Sequence, residues 1–527
     1  MFEIIEKKLK EEEYGQEEYF KNWPMLYILD SGRRAYIGQS LNVTGRMGQH
    51  KINPEKASHK FKKVYFVYSD EFNLSVLLDY EARLIRMMAA DGKYIITNKN
   101  RGITDKHYFN KEYYEKQFVT LWEELRNRGI ADHSIETIEG LDLFKYSPYK
   151  TLTEDQQKIC AQIFRERNWN KAGTVIVEGL PGSGKTILAV YLFKLLKESK
   201  KTKHMEMALV VPQESLRATI RKIFKSLDGL YAKDVIGPYD VLKKDYQILI
   251  VDEGHRLQQK RAINYGKRHL EVNKTLGLSE NADQMDWIIK RSRVQIIFYD
   301  QLQVIGPSGI EYHKLNDKTA QRAAGYYQLC SQMRVKGGND YLRYICGLLS
   351  GTLDSKRSFK KYEFKLFEKF SLFNQLLYEK EKEFGLCRMA AGYAWKWKSK
   401  EDKSGTVVDI VIDGIEKRWN ATGKEWVNSE NAINEVGCIH TVQGYDLNYA
   451  FVIIGDELKY RNGQLMIDRK HYYDQNGKKT ATDDELWRYI RNIYYVLMSR
   501  GILGTYVYVC DEELRHYFSR YVELYKE

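Results

Sequence analysis

The 527-residue chain is too long for a single hydrophobic core, and roughly three domains are expected. With 43% hydrophobic and 13% aromatic residues it is a globular chain, not a disordered one. An excess of 84 Lys and Arg over 71 Asp and Glu, net charge +13, points to a polyanionic partner such as nucleic acid, with a basic protein lacking one as the plainer alternative. The six cysteines (Cys160, Cys330, Cys346, Cys387, Cys438, Cys510) lie far apart and form no C-x-x-C, which argues against a zinc site or a disulfide framework and fits a reducing cytoplasm. No apolar run is long enough for a signal peptide or a membrane span, so a cytoplasmic protein with no membrane partner is expected.

In chain order, residues 1–22 read as a charged, exposed helix. Met25–Leu29 and Ala35–Gly38 read as strands of a hairpin turning at Asp30-Ser31-Gly32-Arg33. A helix starting after Asn42 carries Arg46 and His50 one turn apart. Val64–Tyr68 is a third strand. The helix after Phe72-Asn73 has an apolar stripe of Leu74, Leu77, Leu78, Leu84, Ile85 and Met88. Glu81 falls inside that stripe, where a carboxylate is costly unless it is paired or bound to a metal. The helix ends near Asp91-Gly92, and Asn98 follows Tyr94-Ile95-Ile96-Thr97.

This stretch resembles the GIY-YIG nuclease domain. Tyr36-Ile37-Gly38 matches the second half of the name motif, and Met25-Leu26-Tyr27 the first half with its glycine replaced by methionine. Arg46, His50, Glu81 and Asn98 fall where that family has its arginine, histidine, metal-binding glutamate and asparagine. The resemblance implies cutting of a nucleic-acid phosphodiester with one divalent metal, Mg²⁺ or Mn²⁺, on Glu81. Tyr27 or Tyr36 would help deprotonate the attacking water, and Arg46 would stabilise charge in the transition state. A phenol titrating near ~10 is a poor base at neutral pH, so a metal-bound hydroxide must assist it or replace it. A binding-only module of the same shape is the alternative.

Beyond it, Tyr114, Phe118, Leu121, Trp122 and Leu125 recur at helical spacing before Gly129. This connector helix either packs against its neighbours or offers a face to a protein partner or a second copy of the chain. Residues 130–145 read as a polar loop and a short helix.

Thr174–Val177 is a buried strand running into Gly179-Leu180-Pro181-Gly182-Ser183-Gly184-Lys185-Thr186, which fits the phosphate-binding pattern G-x-x-x-x-G-K-[ST]. The glycines Gly179, Gly182 and Gly184, with Ser183, let backbone N–H groups curl round phosphates. Lys185 reaches the β/γ-phosphates, and the Thr186 hydroxyl holds Mg²⁺. Upstream, Leu152-Thr153-Glu154-Asp155-Gln156 stands where helicases carry a Q motif, and the Gln156 amide can read an adenine edge. Apolar strands at Ala208–Val211, Ile248–Val251 and Gln295–Tyr299 alternate with helices, which predicts a parallel sheet covered on both faces. The second ends in Asp252-Glu253-Gly254-His255: Asp252 for Mg²⁺, Glu253 for the hydrolytic water. The third ends in Asp300-Gln301-Leu302-Gln303, whose Gln303 can sense a γ-phosphate. The only later Asn-Lys, Asn273-Lys274, continues Thr275-Leu276 and so lacks the N-K-x-D of guanine sites. The basic segment Arg256, Lys260, Arg261, Lys267 and Arg268 is either a phosphate contact or a solvated face.

Further on come Gln332-Met333-Arg334, the aromatic run Gly392-Tyr393-Ala394-Trp395-Lys396-Trp397, His440-Thr441-Val442-Gln443-Gly444-Tyr445-Asp446 before the strand Phe451–Gly455, and Leu497-Met498-Ser499-Arg500-Gly501 before the strand Thr505–Val509. The aromatics suit base stacking or a core equally. The ordered series resembles superfamily 1 helicases, most closely the helicase-like domain of large schlafen proteins and their bacterial relatives, over about residues 146–515. D-E-G-H departs from the commoner D-E-x-Q of the superfamily. The resemblance implies two RecA-like lobes closing on ATP, with Arg334 and Arg500 reaching the γ-phosphate and Gln443-Gly444 coupling a bound strand to the nucleotide.

The expected fold is α/β: a small N-terminal domain with a three-stranded sheet and helices (1–104), a helical connector (105–145), and RecA-like parallel-sheet lobes over 146–325 and 326–527. The expected function is an ATP-dependent translocase or helicase on nucleic acid, DNA rather than RNA, with an attached endonuclease, used in bacterial anti-phage defence, restriction or repair. An ATP-switched sensor or scaffold with a binding-only nuclease domain is the alternative.

Overall fold

The computed structural model describes residues 2–9, 20, 23–52, 58–98, 108–140, 152–260, 266–402, 405–422, 426–429 and 431–526. They form two compact units, one of Met1–Cys160 with Thr186–Gly237, the other of Ala161–Lys185 with Pro238–Glu527. The protein is a mixed α/β molecule: a small N-terminal α/β domain followed by parallel sheets of the RecA-like type.

The N-terminal sheet contains β1 (Glu3–Lys8), β2 (Met25–Asp30), β3 (Arg34–Ser40), β4 (Lys63–Tyr68) and β5 (Ile95–Ile96), in the order β1-β4-β2-β3-β5. It therefore has two strands beyond the three expected. The expected leading helix is overturned over its first residues: Glu3–Lys8 lies antiparallel to β4, Glu3 opposite Tyr68 and Lys8 opposite Lys63. The Glu/Lys-rich sequence has helical propensity, but a ladder of backbone hydrogen bonds to an open strand edge outweighs that weak local preference. Residues 10–19 lie outside the described residues.

Strand β2 is central, between β3 and β4, and every one of its residues is buried. Met25, Tyr27 and Leu29 share one face and join Val43, Met47, Val64 and Phe66 in a core cluster. Met25 thus fills core volume where the GIY-YIG pattern has glycine. The helix Leu74–Asp91 is capped by Asn73, whose side chain accepts from the Val76 N–H, and stops at Gly92 with φ +79°. The connector helix Lys111–Asn127 packs on it within the same unit. The Tyr80 phenol donates to the Tyr114 carbonyl (2.6 Å), Arg83 pairs with Glu115 (2.6 Å), and the rings of Tyr80 and Phe118 meet edge to face. Phe118, Leu121, Trp122 and Leu125 are all buried, so the apolar stripe offered to a partner in the sequence reading is covered within the unit.

Beyond residue 152 strand and helix alternate through β6 (Gly173–Gly179), β7 (Met207–Val210), β8 (Val235–Ile236), β9 (Tyr246–Val251), β10 (Ser292–Tyr299) and β11 (Ala323–Leu329). In the first unit β7 pairs with β8 in parallel. A bridge between Ile96 and Leu227 joins the end of the N-terminal sheet to the residue after the helix Glu214–Ser226. In the second unit β6 runs between β10 and β11, and β10 lies beside β9, all parallel. Nearly continuous burial along β6, β9 and β10 is what a parallel sheet covered on both faces requires.

The remaining strands are β12 (Glu363–Phe367), β13 (Cys387–Ala391), β14 (Ile410–Ile412), β15 (Ile415–Trp419), β16 (Glu435–Cys438), β17 (Leu447–Ile454), the hairpin β18 (Leu458–Arg461) and β19 (Gln464–Ile467), β20 (Gly501–Val509) and β21 (Glu523–Leu524). Eight of them form one sheet, β14-β15-β16-β13-β17-β20-β12-β21, in which only β14 and β15 pair antiparallel. Its core is aromatic, with Phe367, Phe373, Phe451 and Tyr506 in contact. Tyr393, Trp395 and Trp397 pack against this core while each stays partly exposed. No described helix is long and apolar enough to cross a membrane.

Candidate functional site

Strand β6 delivers the chain into the glycine-rich loop, and the helix Lys185–Glu198 leaves it. Gly182 (φ +81°) and Gly184 (φ +77°) adopt left-handed conformations that side chains disfavour. A Cβ on Gly182 would also lie 2.7 Å from Cβ of Arg334, and one on Gly179 would press on the buried Ser183 hydroxyl. The Met333 N–H donates to the Gly182 carbonyl at 3.0 Å, so the Gln332-Met333-Arg334 segment lies on the loop. Lys185 is buried. Its ammonium donates to the carbonyls of Gly179 (2.6 Å) and Leu180 (3.1 Å) and pairs with Asp300 Oδ2 (3.0 Å). Thr186, the second residue of the helix, is buried as well.

Asp252 stands fully buried where β9 ends. Glu253 follows with φ +53°, a left-handed conformation unusual for a residue with a side chain and of the kind that marks functional turns. Gly254 must be glycine, since a Cβ there would lie 2.6 Å from Cγ2 of Ile297. The Glu253 carboxylate has His255 Nε2 at 3.0 Å and Arg256 Nε at 3.4 Å. Burial pushes its pKa up, but His255, Arg256 and Lys185 together outweigh burial and hold it well below the usual carboxylate range.

Strand β10 ends at Asp300, and Gln303 sits one short turn further on. Gln303 Nε2 donates to Asp300 Oδ2 (2.7 Å), while its Oε1 accepts from Gln443 Nε2 (3.1 Å) and Arg500 Nη2 (3.4 Å). Arg500 lies fully buried between the helix Asp483–Met498 and β20, its pKa lowered to about 9 by burial and by neighbouring Arg334. Arg334 Nε pairs with Asp446. Gly444, with φ +106°, lies between Gln443 and Asp446. Arg500 Nε, Arg334 Nη1, Arg256 Nη2 and Gln332 Nε2 are buried donors without an acceptor among the described residues. Such a surplus of unmatched donors, three of them guanidinium groups, beside a glycine-rich loop is what a polyphosphate would satisfy, so the residues fit a nucleoside triphosphate.

Gln156 is used locally. Thr153 N–H donates to its Oε1 (3.0 Å) and its own N–H to Thr153 Oγ1 (3.2 Å), a capping box opening the helix Glu154–Glu166. The spacing T-x-x-Q carries that signal. Sequence reasoning gave no role to Asp300, Asp446 and His255, which stand inside motifs already quoted. Asp300 and Asp446 meet partners from distant segments, whereas His255, like Arg256, meets the neighbouring Glu253. In the basic segment after Asp252, Arg256 pairs with Glu253, Lys260 donates to Asn281 (2.6 Å) and Arg268 lies over the Tyr239 ring; Arg261 lies outside the described residues.

In the N-terminal domain, Tyr27 Oη and His50 Nε2 share a hydrogen bond of 2.8 Å, and Arg46 Nε donates to Tyr27 Oη at 3.4 Å. The Tyr36 ring stacks on Tyr27 and meets His50 edge to face. Burial raises the pKa of both phenols. Tyr36 raises that of Tyr27 further, and the half-buried Glu81 adds to the rise at both. Tyr27, Tyr36, Arg46, His50 and Glu81 therefore form one polar cluster. Asn98 works beneath it: its amide accepts from the Ile37 N–H (3.0 Å) and donates to the Ile37 carbonyl (2.7 Å), which holds β3 in place. No group of three or more His, Cys, Asp or Glu side chains suited to a metal occurs among the described residues, so a cation here would have Glu81 as its one acidic ligand from the motif.

A parallel sheet bearing a phosphate loop, faced by a glutamine and two arginines from a second parallel sheet, defines a P-loop NTPase built from two RecA-like lobes. The model of the Schlafen group 3 DNA/RNA helicase domain matches residues 172–511, and the chain belongs to that family. Membership makes it an ATP-hydrolysing protein of helicase type. The chain is 24% identical over 425 residues to an uncharacterized protein of Saccharomyces cerevisiae, YPL245W, covering 69% of this chain and 90% of that one. Among solved structures it is similar to the PRRSV helicase (11% identity, TM-score 0.28), covering 68% of this chain and 56% of that one. It is also similar to arterivirus nonstructural protein 10, a helicase solved with DNA (13% identity, TM-score 0.31), covering 66% of this chain and 63% of that one.

Proposed function

We propose that the protein is an ATP-driven nucleic-acid translocase or helicase, acting on DNA rather than RNA, that carries a metal-dependent GIY-YIG endonuclease. The domain division 1–104, 105–145, 146–325 and 326–527 belongs to this proposal. The observation that carries the motor is the network from Lys185 through Asp300 and Gln303 to Gln443 and Arg500, which links the phosphate loop to the second parallel sheet.

Bound ATP would supply the phosphoanhydride bond; Thr186 and Asp252 would be the protein ligands of Mg²⁺, which would neutralise charge on the phosphates. The loop glycines and Ser183 present backbone donors, and Lys185 adds the positive charge. Glu253, ionised throughout the neutral range, orients and activates the water. Arg334 and Arg500 meet charge developing on the γ-phosphate, which Gln303 senses. Gln443 and Gly444 tie that state to a bound strand. Gln156, whose oxygen accepts in the cap of its helix, is the side chain that would read the adenine edge.

For the cutter, Glu81 would hold Mg²⁺ or Mn²⁺, which supplies an activated water. Burial keeps the phenols of Tyr27 and Tyr36 protonated, which suits them to donating hydrogen bonds and orienting water, with His50 and Arg46 fixing Tyr27 and Arg46 facing the phosphate. A motor joined to a cutter supports a role in anti-phage defence, restriction or repair.

The test is purified protein with Mg²⁺ or Mn²⁺, with and without ATP, on labelled single-stranded, duplex and forked DNA and RNA. Lys185→Ala abolishes ATP hydrolysis and movement. Glu81→Ala abolishes cutting and leaves hydrolysis intact; normal cutting by that variant ends the nuclease assignment. ATPase that rises with added strand but brings neither displacement nor cutting favours a sensor.

A further inference from the structure

A lysine ammonium has three hydrogens to donate, and all three of Lys185 are engaged. Two go to the carbonyls of Gly179 and Leu180, part of the loop itself, and the third to Asp300 Oδ2 at 3.0 Å. That same oxygen accepts from Gln303 Nε2 at 2.7 Å. Lys185, Asp300 and Gln303 are each more than nine-tenths buried, so water competes weakly for any of them. On its other side Gln303 accepts from Gln443 and Arg500.

We infer that Asp300 is a built-in competitor for the polyphosphate: it holds Lys185 and Gln303 on one carboxylate oxygen, and nucleotide binding exchanges that oxygen for a phosphate oxygen on Lys185. This rests on the reading of the loop as an ATP site. The exchange removes Lys185 from the Asp300 carboxylate and leaves that oxygen to Gln303 alone, whose other side Gln443 and Arg500 hold. Occupation of the loop is thereby passed to the residues that face it, with Asp300 acting as a positioning residue. The arrangement also sets a threshold, because a ligand must outcompete a buried carboxylate for the lysine. A triphosphate or pyrophosphate carries the charge to do so; a nucleoside does not.

Asp300→Asn keeps the shape and the acceptor that caps Leu302 N–H (3.1 Å) but removes the charge. By fluorescence of a methylanthraniloyl-ATP probe and by calorimetry with pyrophosphate, the variant binds both about tenfold more tightly than wild type. Its affinity for adenosine is unchanged. A damaged fold loosens binding, so a gain confined to phosphate ligands separates exchange from a structural effect. Wild-type binding with no gain in Asp300→Asn overturns the exchange while leaving the ATP site standing. A wild type blind to the probe overturns the ATP site, and the exchange with it. If Asp300→Asn does not fold, Asp300→Ser retains the capping oxygen and carries the same expectation and the same overturning result.

Discussion

His255 Nε2 lies 3.0 Å from the Glu253 carboxylate and is the strongest single influence holding that carboxylate ionised against its own burial. The acid limb of ATP hydrolysis depends on this pair. Replacing His255 with Asn leaves Arg256 and Lys185 to oppose burial, so the Glu253 pKa rises and an acid limb that lies below the working range in wild type moves up toward it. Single-turnover hydrolysis between about pH 4.5 and pH 8 should then lose rate on acidification earlier in His255→Asn than in wild type. Superimposable profiles would mean that Glu253 does not take up a proton in this range or does not limit the step.

Arg500 is buried beside Gln303, with its Nε unmatched among the described residues. A pKa of about 9 leaves it charged at neutral pH. Arg500→Ala should lower the hydrolysis rate by ~10³ with nucleotide affinity little changed, as expected for a group acting on charge that develops in the reaction. Arg500→Lys should not restore the rate, since a point ammonium lacks the planar fork. Equal losses in binding and rate would assign Arg500 to ground-state binding instead.

A Cβ on Gly38 would collide with the Tyr27 phenol, so the glycine of Tyr36-Ile37-Gly38 is the floor on which Tyr27 lies. Gly38→Ala should displace Tyr27 from His50 and destabilise the N-terminal domain by ~1–3 kcal/mol, the usual range for overpacking. Cutting should fall by about two orders of magnitude, in line with the cost of misplacing catalytic groups, while strand-stimulated ATP hydrolysis stays at the wild-type level. Cutting that survives with a normal melting curve would detach Tyr27 from the reaction.

Glu457 is buried, its carboxyl hydrogen-bonded to Tyr494 and its Oε2 without a partner among the described residues. Burial raises its pKa to about 7. Between the unfolded value near ~4.3 and this folded value the native state binds more protons than the unfolded chain, so stability falls as pH rises through that window. Glu457→Gln removes the penalty. Its melting temperature should match wild type near pH 4.5 and exceed it above pH 7, by up to roughly 3 kcal/mol in stability. A constant offset across pH would show that Glu457 does not titrate in this window.

Much of the parallel sheet that bears the phosphate loop was legible in the sequence, because a parallel strand buried on both faces must be continuously apolar and its carboxyl end must carry the polar chemistry. Thr174–Val177, Ile248–Val251 and Gln295–Tyr299 all became strands, and Lys185, Asp252 and Gln303 stand at their ends. The N-terminal residues misled because Glu3, Glu6, Lys7 and Lys8 favour a helix by propensity, and nothing local announces the open edge of β4. The aromatics Tyr393, Trp395 and Trp397 were ambiguous for a related reason: a ring that stacks on a base and a ring that fills a core are the same residue type.

The order and spacing of the motifs alone determined the class of molecule, since G-x-x-x-x-G-K-T, D-E, D-x-x-Q and the later arginines encode local turns and charges that need no partner to be recognised. Only the tertiary structure decided who holds whom. That Asp300 engages Lys185, Asp446 engages Arg334, Gln443 reaches Gln303 and Asn98 clamps Ile37 depends on residues 61 to 140 positions apart in the chain. Such pairings follow from strand order and register, which side-chain periodicity does not specify.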